Sequence, residues 1–354
     1  MKKLLLIFTA LAILAACHDN KKKSAAKDSK SVSITAAGAT FPMPFYNQLV
    51  ADYATKTGIL VTYGGIGSGG GIRSLKDKVV DFGATDAFLT DEQAAELPAP
   101  VVHIPTCLGA VVLAYNLPGI TSLKLKNEVL AKIFMGEIKK WNDPLILADN
   151  SGVKLPDLNI SVIYRSDGSG TTFIFSDYMS KISEKWAKEI GTGKSLNWPI
   201  GMGAKGNPGV AGTIKQTEGA FGYIGSEYAF AQKLSYVLLQ NKAGNFIEPS
   251  VKSVSAAAMG EIPADTRVML TNSDAPDAYP ISAFTWIILY KEQSYGDRSL
   301  QQAEETVKFL DWLVSSDAQA VAQKVDYAPL PEKAVALAKA ILKSITYNGD
   351  AILK

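Results

Sequence analysis

Cysteine and histidine are almost missing from this chain: 354 residues hold two of each, Cys17 and Cys107, His18 and His103. No grouping of histidine, cysteine and carboxylate has the spacing of metal ligands, which excludes structural or catalytic zinc, and no other cofactor is implied. Past the first seventeen residues no apolar run is long enough to cross a bilayer. An excess of one charge is missing too, with 36 basic and 34 acidic residues. Seven of those lysines and two of the aspartates lie in residues 1–30, so the remainder carries 29 and 32, a net −3. A slightly acidic body has no overall field to attract nucleic acid. If it binds an anion, a local constellation must do so.

What is present begins with the leader. Lys2 and Lys3 precede an apolar run from Leu4 to Ala16 that ends in Leu14-Ala15-Ala16-Cys17. A basic start, a short apolar stretch and small residues before a cleavage point make residues 1–16 a secretory signal peptide. Cys17 directly after Leu-Ala-Ala resembles the lipobox of bacterial lipoproteins, which predicts lipidation of Cys17 and a membrane anchor. Cys107 is then the sole remaining thiol, so no internal disulfide is expected. Its apolar surroundings, VVHIPTCLGAVVLAYN, predict a buried, inert group. His103 in the same run reads as core. Residues 18–30, HDNKKKSAAKDSK, have nothing with which to bury apolar area and read as a flexible tether.

The length allows two domain-sized cores. After the tether, short β-rich runs alternate with amphipathic helices. Strands are predicted at 31–38, 59–65, 80–87, 109–116, 158–165 and 282–290. Helices are predicted from PFYNQLVADYATKTG, stopped by Gly58, through IRSLKDKV, over 170–183 and around 302–315 and 332–345. Residues 219–232 read as a strand entering a helix. Such alternation argues for an α/β fold with parallel sheets.

Three small-residue turns sit between a strand and a helix: Ala37-Gly38-Ala39-Thr40-Phe41-Pro42, Gly65 to Gly71, and Arg165-Ser166-Asp167-Gly168-Ser169-Gly170-Thr171-Thr172. The first turn of a helix leaves N–H groups unpaired and carries partial positive charge. Glycine admits an oxyanion to that backbone, and Ser or Thr adds a hydroxyl donor. One such turn is commonly a cap and nothing more, but three can surround a tetrahedral anion. Arg165 stands directly before the third turn, where a guanidinium can hold an oxyanion bidentately while Asp167 orients it. Gly65, Gly67 and Gly70 also fit GxGxxG with Asp86 about twenty residues on, a loose match at odds with export. Gly193-Lys194-Ser195 lacks the upstream glycine of a P-loop, since position 188 is lysine.

The segments ITAAGATFPMPFY, YGGIGSGGGI, VDFGATDAFLTDE, FMGEIKKWNDP, RSDGSGTTFIF, NWPIGMGAKGNPGV, GAFGYIGSEYA and YAPLP resemble, in order from about residue 33 to 331, the periplasmic phosphate-binding proteins of bacterial phosphate ABC transporters. The resemblance implies a two-lobed periplasmic-binding-protein fold, type II-like, with phosphate in the interlobe cleft. Residues 31–107 plus 283–354 would form one lobe and 108–282 the other. It places the phosphate ligands at Thr40, Phe41, Ser68, Asp86, Arg165, Ser169, Gly170 and Thr171, with Asp167 supporting the arginine. The chain departs from the family at Thr85 and Gly69, where serine is more frequent. The residues alone leave Asp86 two roles: acceptor for a ligand hydrogen, or cap of the helix suggested by TDAFLTDE.

The expected protein is thus a non-enzymatic receptor in the periplasm or cell envelope, a lipid-anchored monomer that binds inorganic phosphate and docks on permease subunits. The rivals are an exported phosphate-ester hydrolase and a receptor for another tetrahedral oxyanion.

Overall fold

The structure is a computed structural model and describes residues 32–354. The signal peptide, Cys17 and the tether lie outside the described residues. The site rests on strands β1 Ser33–Gly38, β2 Leu60–Gly65, β3 Phe82–Thr85, β4 Val101–Tyr115, β5 Ser161–Arg165, β6 Met202–Ala204, β7 Ala220–Gly225 and β8 Ser282–Tyr290. They run side by side in the order β2-β1-β3-β8-β4-β7-β5-β6.

Parallel pairing holds at both ends of that order, β2-β1-β3 and β7-β5-β6. The middle corrects the all-parallel expectation, because β8 is antiparallel to β3 and β4, and β4 to β7. The 15-residue β4 is also longer than the predicted 109–116. Val101 to Ala110 pair with β8, and Val111 to Tyr115 pair with β7. One strand therefore belongs to both halves of the sheet, which makes two lobes of it. Pro105 has no N–H to give a central ladder. The register with β8 shifts there, between Thr285 and Trp286. Thr106 is left without a partner in β8 at that point, the mark of a bulge.

Helices α1 Met43–Thr57, α2 Ser68–Lys76, α3 Gly170–Ile182, α4 Gly206–Gln216 and α5 Ser226–Gln232 each begin beside a strand end. α1 buries Phe45, Tyr46, Leu49 and Tyr53 and stops where Gly58 adopts φ 77° and donates to the Ala54 carbonyl. In α3, Ile174, Phe175, Tyr178 and Met179 face the core. Phe175 stacks on Tyr223 of β7 at 4.5 Å between centroids.

α2 starts four residues before the predicted IRSLKDKV, with Gly69, Gly70 and Gly71 inside it. Packing overrides propensity here. A Cβ on Gly71 would stand 2.6 Å from Gly38 Cα and 2.8 Å from the carbonyl oxygens of Ala37 and Ala84. The helix thus lies directly on the backbone of β1 and β3. Gly71→Ala is expected to cost about 1–3 kcal/mol, seen in urea unfolding as a lower midpoint at unchanged slope. An unaltered midpoint would show that the close approach is slack.

Candidate functional site

Four chain turns meet where α1, α2, β3 and α3 begin or end. Thr40, between β1 and α1, is 4% exposed. Its Oγ1 accepts from the backbone N–H and from Nδ2 of Asn207, both at 3.1 Å. Its carbonyl accepts from the Tyr228 hydroxyl at 2.5 Å, and the next carbonyl, of Phe41, accepts from Tyr327 at 2.5 Å. The Phe41 ring is buried, tight beneath Gly109. Two tyrosines thus pin the peptide units around Phe41, directly before α1.

Ser68 opens α2 and is fully buried. Its Oγ accepts from Asp86 N–H and from Gly170 N–H, each at 3.1 Å. Gly69 N–H donates to the Gly168 carbonyl at 2.8 Å. Gly67 takes φ 85°, and a Cβ there would stand 2.3 Å from Asp167 Oδ2. The second and third turns therefore touch backbone to backbone across the cleft.

Asp86 follows β3 and is 1% exposed. It does not cap a helix: the next one, Asp91–Ala95, is capped by Thr90 in a capping box with Gln93. Oδ1 of Asp86 accepts from Thr285 Oγ1 at 2.7 Å. Gly170 is packed against the carboxyl group, and a Cβ there would lie 2.6 Å from Oδ2. Burial pushes the Asp86 carboxyl up to about 7, against the opposing pull of the Thr285 bond, the Arg165 charge and Ser68.

Arg165 ends β5 and is 3% exposed. Its backbone N–H donates to the Tyr223 hydroxyl at 3.0 Å. Nε and Nη2 hold Asp167 at 2.7 and 2.6 Å, and Nη1 donates to Thr171 Oγ1 at 3.2 Å. Burial alone would raise the Asp167 carboxyl, yet the Arg165 guanidinium and the Gly206 N–H hold it below the ordinary aspartate value. The guanidinium is thus locked by a bidentate carboxylate before any ligand arrives. Ser169 caps α3, accepting from Thr172 N–H at 2.9 Å, and Thr171 is fully buried in the first turn.

The structure joins Thr40, Ser68, Asp86, Arg165, Gly170 and Thr171 in one buried network, with Asp167 on its arginine. Phe41 and Ser169 flank it, their side chains engaged in the core and in the cap. Reading the sequence missed Asn207, Tyr223 and Thr285, which hold this network together. Asn207 had a usable signal: Gly206-Asn207-Pro208 is a fourth small-residue turn between strand and helix. Thr285 is a polar residue in the apolar run SAFTWIILY. Tyr223 looks like any core aromatic.

His103 and Cys107 stand apart from this network. His103 Nε2 accepts from Leu89 N–H at 3.0 Å, and Cys107 is fully buried as a free thiol. Among the described residues there is no group of His, Cys, Asp and Glu that could hold a metal ion, and no helix long and apolar enough to cross a membrane.

A family model for the PBP superfamily domain matches residues 23–317. The chain is 41% identical over 325 residues to the phosphate-binding protein PstS of Pasteurella multocida, covering 90% of this chain and 92% of that protein. It is 42% identical over 317 residues to PstS of Haemophilus influenzae, with 88% and 93% covered. Its fold is similar to the solved structure of a high-affinity periplasmic phosphate-binding protein bound with phosphate, at TM-score 0.71, 20% identity and coverage of 87% and 93%.

Burial, and secondarily the Arg267 charge, push the His103 imidazole down to about 4 from its ordinary 6.5. The unfolded chain then binds the extra proton between those values, so stability is intact above pH 6.5 and lost as pH falls toward 4. The loss at this one group is about 3 kcal/mol. An NMR titration is expected to show His103 neutral down to about pH 4, and a midpoint near 6.5 would refute its burial.

Proposed function

This chain belongs to the phosphate-binding protein PstS family of the PBP superfamily, and from that premise we propose that it captures inorganic phosphate outside the cytoplasmic membrane and delivers it to an ABC permease. The observation that carries the reading is the balance of donors and acceptors in the buried network. Ser68 Oγ already accepts two hydrogen bonds, so its own hydrogen must point elsewhere. Arg165 only donates. The backbone N–H groups of Phe41, before α1, and Thr171, in the first turn of α3, only donate. Against them stands a single acceptor carboxyl, Asp86, whose Oδ1 is held by Thr285.

Such a site fits an oxyanion that keeps one hydrogen. Phosphate keeps one at neutral pH and sulphate does not, so sulphate would set an acceptor against Asp86. Sites built to meet a ligand hydrogen reject analogues lacking it by on the order of 10⁴-fold, because buried groups go unpaired. We assign Thr40, Phe41, Ser68, Asp86, Arg165, Ser169, Gly170 and Thr171 as ligands, and Asp167 as the group that positions Arg165.

Residues 31–107 plus 283–354 and residues 108–282 are proposed as lobes that close on the anion by hinge bending. The change of partner along β4, at Ala110 and Val111, supports a hinge there. The proposal extends to a monomer held at the membrane through Cys17 in the periplasm or cell envelope. A hydrolase would need a nucleophile activated by a base. The site hydroxyls of Thr40, Ser68 and Thr171 each accept two bonds, and His103 spends Nε2 on Leu89, which favours a receptor over an enzyme.

The test is calorimetric titration of the chain after unfolding, stripping and refolding. Phosphate is expected to bind at micromolar affinity or tighter, with no sulphate heat at pH 8. No phosphate binding by a folded sample would overturn the reading and point to another oxyanion. Because burial brings Asp86 to about 7, acid turns it from acceptor to donor. Sulphate affinity is therefore expected to rise as pH falls toward about 7, by about tenfold per unit for one linked proton, and to level off below it. Asp86→Asn should remove that pH dependence and narrow phosphate-over-sulphate discrimination by about 100-fold or more. Unchanged selectivity in this variant would sink the role of Asp86.

A further inference from the structure

The side-chain amide of Asn207 lies against both lobes, at the second position of α4, fully buried. Its orientation is determined by its neighbours. Gly225 N–H donates to Oδ1 at 3.1 Å. A backbone N–H cannot accept, so oxygen occupies that side of the amide and the NH₂ group faces the other. The two amide hydrogens then go to Thr40 Oγ1 and Thr171 Oγ1, both at 3.1 Å.

Each of those hydroxyls has a second donor. Asn207 backbone N–H reaches Thr40 Oγ1 at 3.1 Å, and Arg165 Nη1 reaches Thr171 Oγ1 at 3.2 Å. A hydroxyl has two lone pairs and one hydrogen. With both lone pairs engaged, the hydrogen of Thr40 and that of Thr171 are left for an acceptor in the site.

We propose that Asn207 is the positioning residue that sets the polarity of the site, compelling the Thr40 and Thr171 hydroxyls to donate to the bound anion. This rests on the phosphate reading and deepens it. Thr171 is filled from within its own lobe, by Asn207 and Arg165. Thr40 is filled only from across the cleft, by Asn207. Lobe closure and the conversion of Thr40 into an obligate donor are therefore one event. Asn207 does not touch the ligand. It decides which way two ligand-touching groups point.

A packing role and a polarity role predict opposite orders for two substitutions. Asn207→Asp keeps the size and the acceptor for Gly225 N–H but replaces the NH₂ group with an acceptor, toward which both hydroxyls turn. Asn207→Leu removes the amide and leaves both hydroxyls free to rotate toward the anion. Phosphate titration of the full chain, stripped and refolded, is expected to show Asn207→Asp weakened on the order of 100-fold, the loss of two buried donors. Asn207→Leu is expected to lose about tenfold or less. The Asn207→Asp deficit should shrink as pH falls and the introduced carboxyl gains a proton. In a Thr40→Val background, the penalty of Asn207→Asp should fall severalfold, which also keeps the idea testable if Asn207→Leu fails to fold. No phosphate binding by the wild-type chain would overturn the phosphate reading and this inference with it. Tight wild-type binding, with Asn207→Asp losing no more than Asn207→Leu or its penalty unaltered by Thr40→Val, would overturn this inference alone.

Discussion

An anion taken out of water loses its solvation shell, and the cost of that loss governs the arrangement described above. Burying an unpaired charge is so unfavourable that the protein must return nearly every hydrogen bond that water supplied. The described body carries a slightly acidic balance, so no diffuse positive field offsets the cost. The compensation is local instead: helix N-termini, buried hydroxyls and one guanidinium already neutralised by Asp167 at 2.6–2.7 Å. A guanidinium paired in advance adds little net charge but keeps a fixed fork of donors. The site is accordingly rich in directed N–H and O–H groups and poor in charge.

Directed donors need a rigid scaffold, and the fold provides it by close backbone contact. Gly71 lets α2 lie on β1 and β3, which presents Ser68 at the right depth. The Phe175–Tyr223 stack fixes the hydroxyl that holds Arg165 N–H. The bulge at Thr106, directly after Pro105 in β4, belongs to the same economy of position. It lies beside Thr285, whose hydroxyl occupies Oδ1 of Asp86.

Much of this was legible in the residues, and the parts that were not have a common cause. Strand and helix periods showed nearly every element near the site, because a half-buried strand and an amphipathic helix write their geometry into local spacing. SAFTWIILY and GAFGYIGSEYAFAQ are the clearest cases. The antiparallel middle of the sheet was not legible, since which strand lies beside which depends on contacts between distant segments. The start of α2 was hidden because glycine lowers helix propensity, and only tertiary packing shows why three of them stand there. The groups proposed as ligands were visible through turn motifs and family resemblance. The groups behind them, Asn207, Tyr223 and Thr285, were hidden because their partners are 18 to 199 residues away.

The same hydrogen bonds serve closure and recognition, which has a thermodynamic consequence. Ser68 gains its second donor, Gly170 N–H, from what is proposed as the opposite lobe, as Thr40 gains Asn207. In this conformation these hydroxyls and N–H groups converge on one another, and burial raises the Asp86 carboxyl to about 7. Closing without an anion would leave those hydrogens facing no acceptor and a carboxyl group out of water, both unfavourable. Closing around an anion with one hydrogen satisfies every member at once. A ligand shifts such an equilibrium only by its differential affinity for the two states. An oxyanion without a hydrogen satisfies the donors but not Asp86, so it gains less by closure than phosphate does. On the proposed reading discrimination resides in the closed state as a whole, and the groups that join the lobes are as much a part of it as those that would touch the ligand.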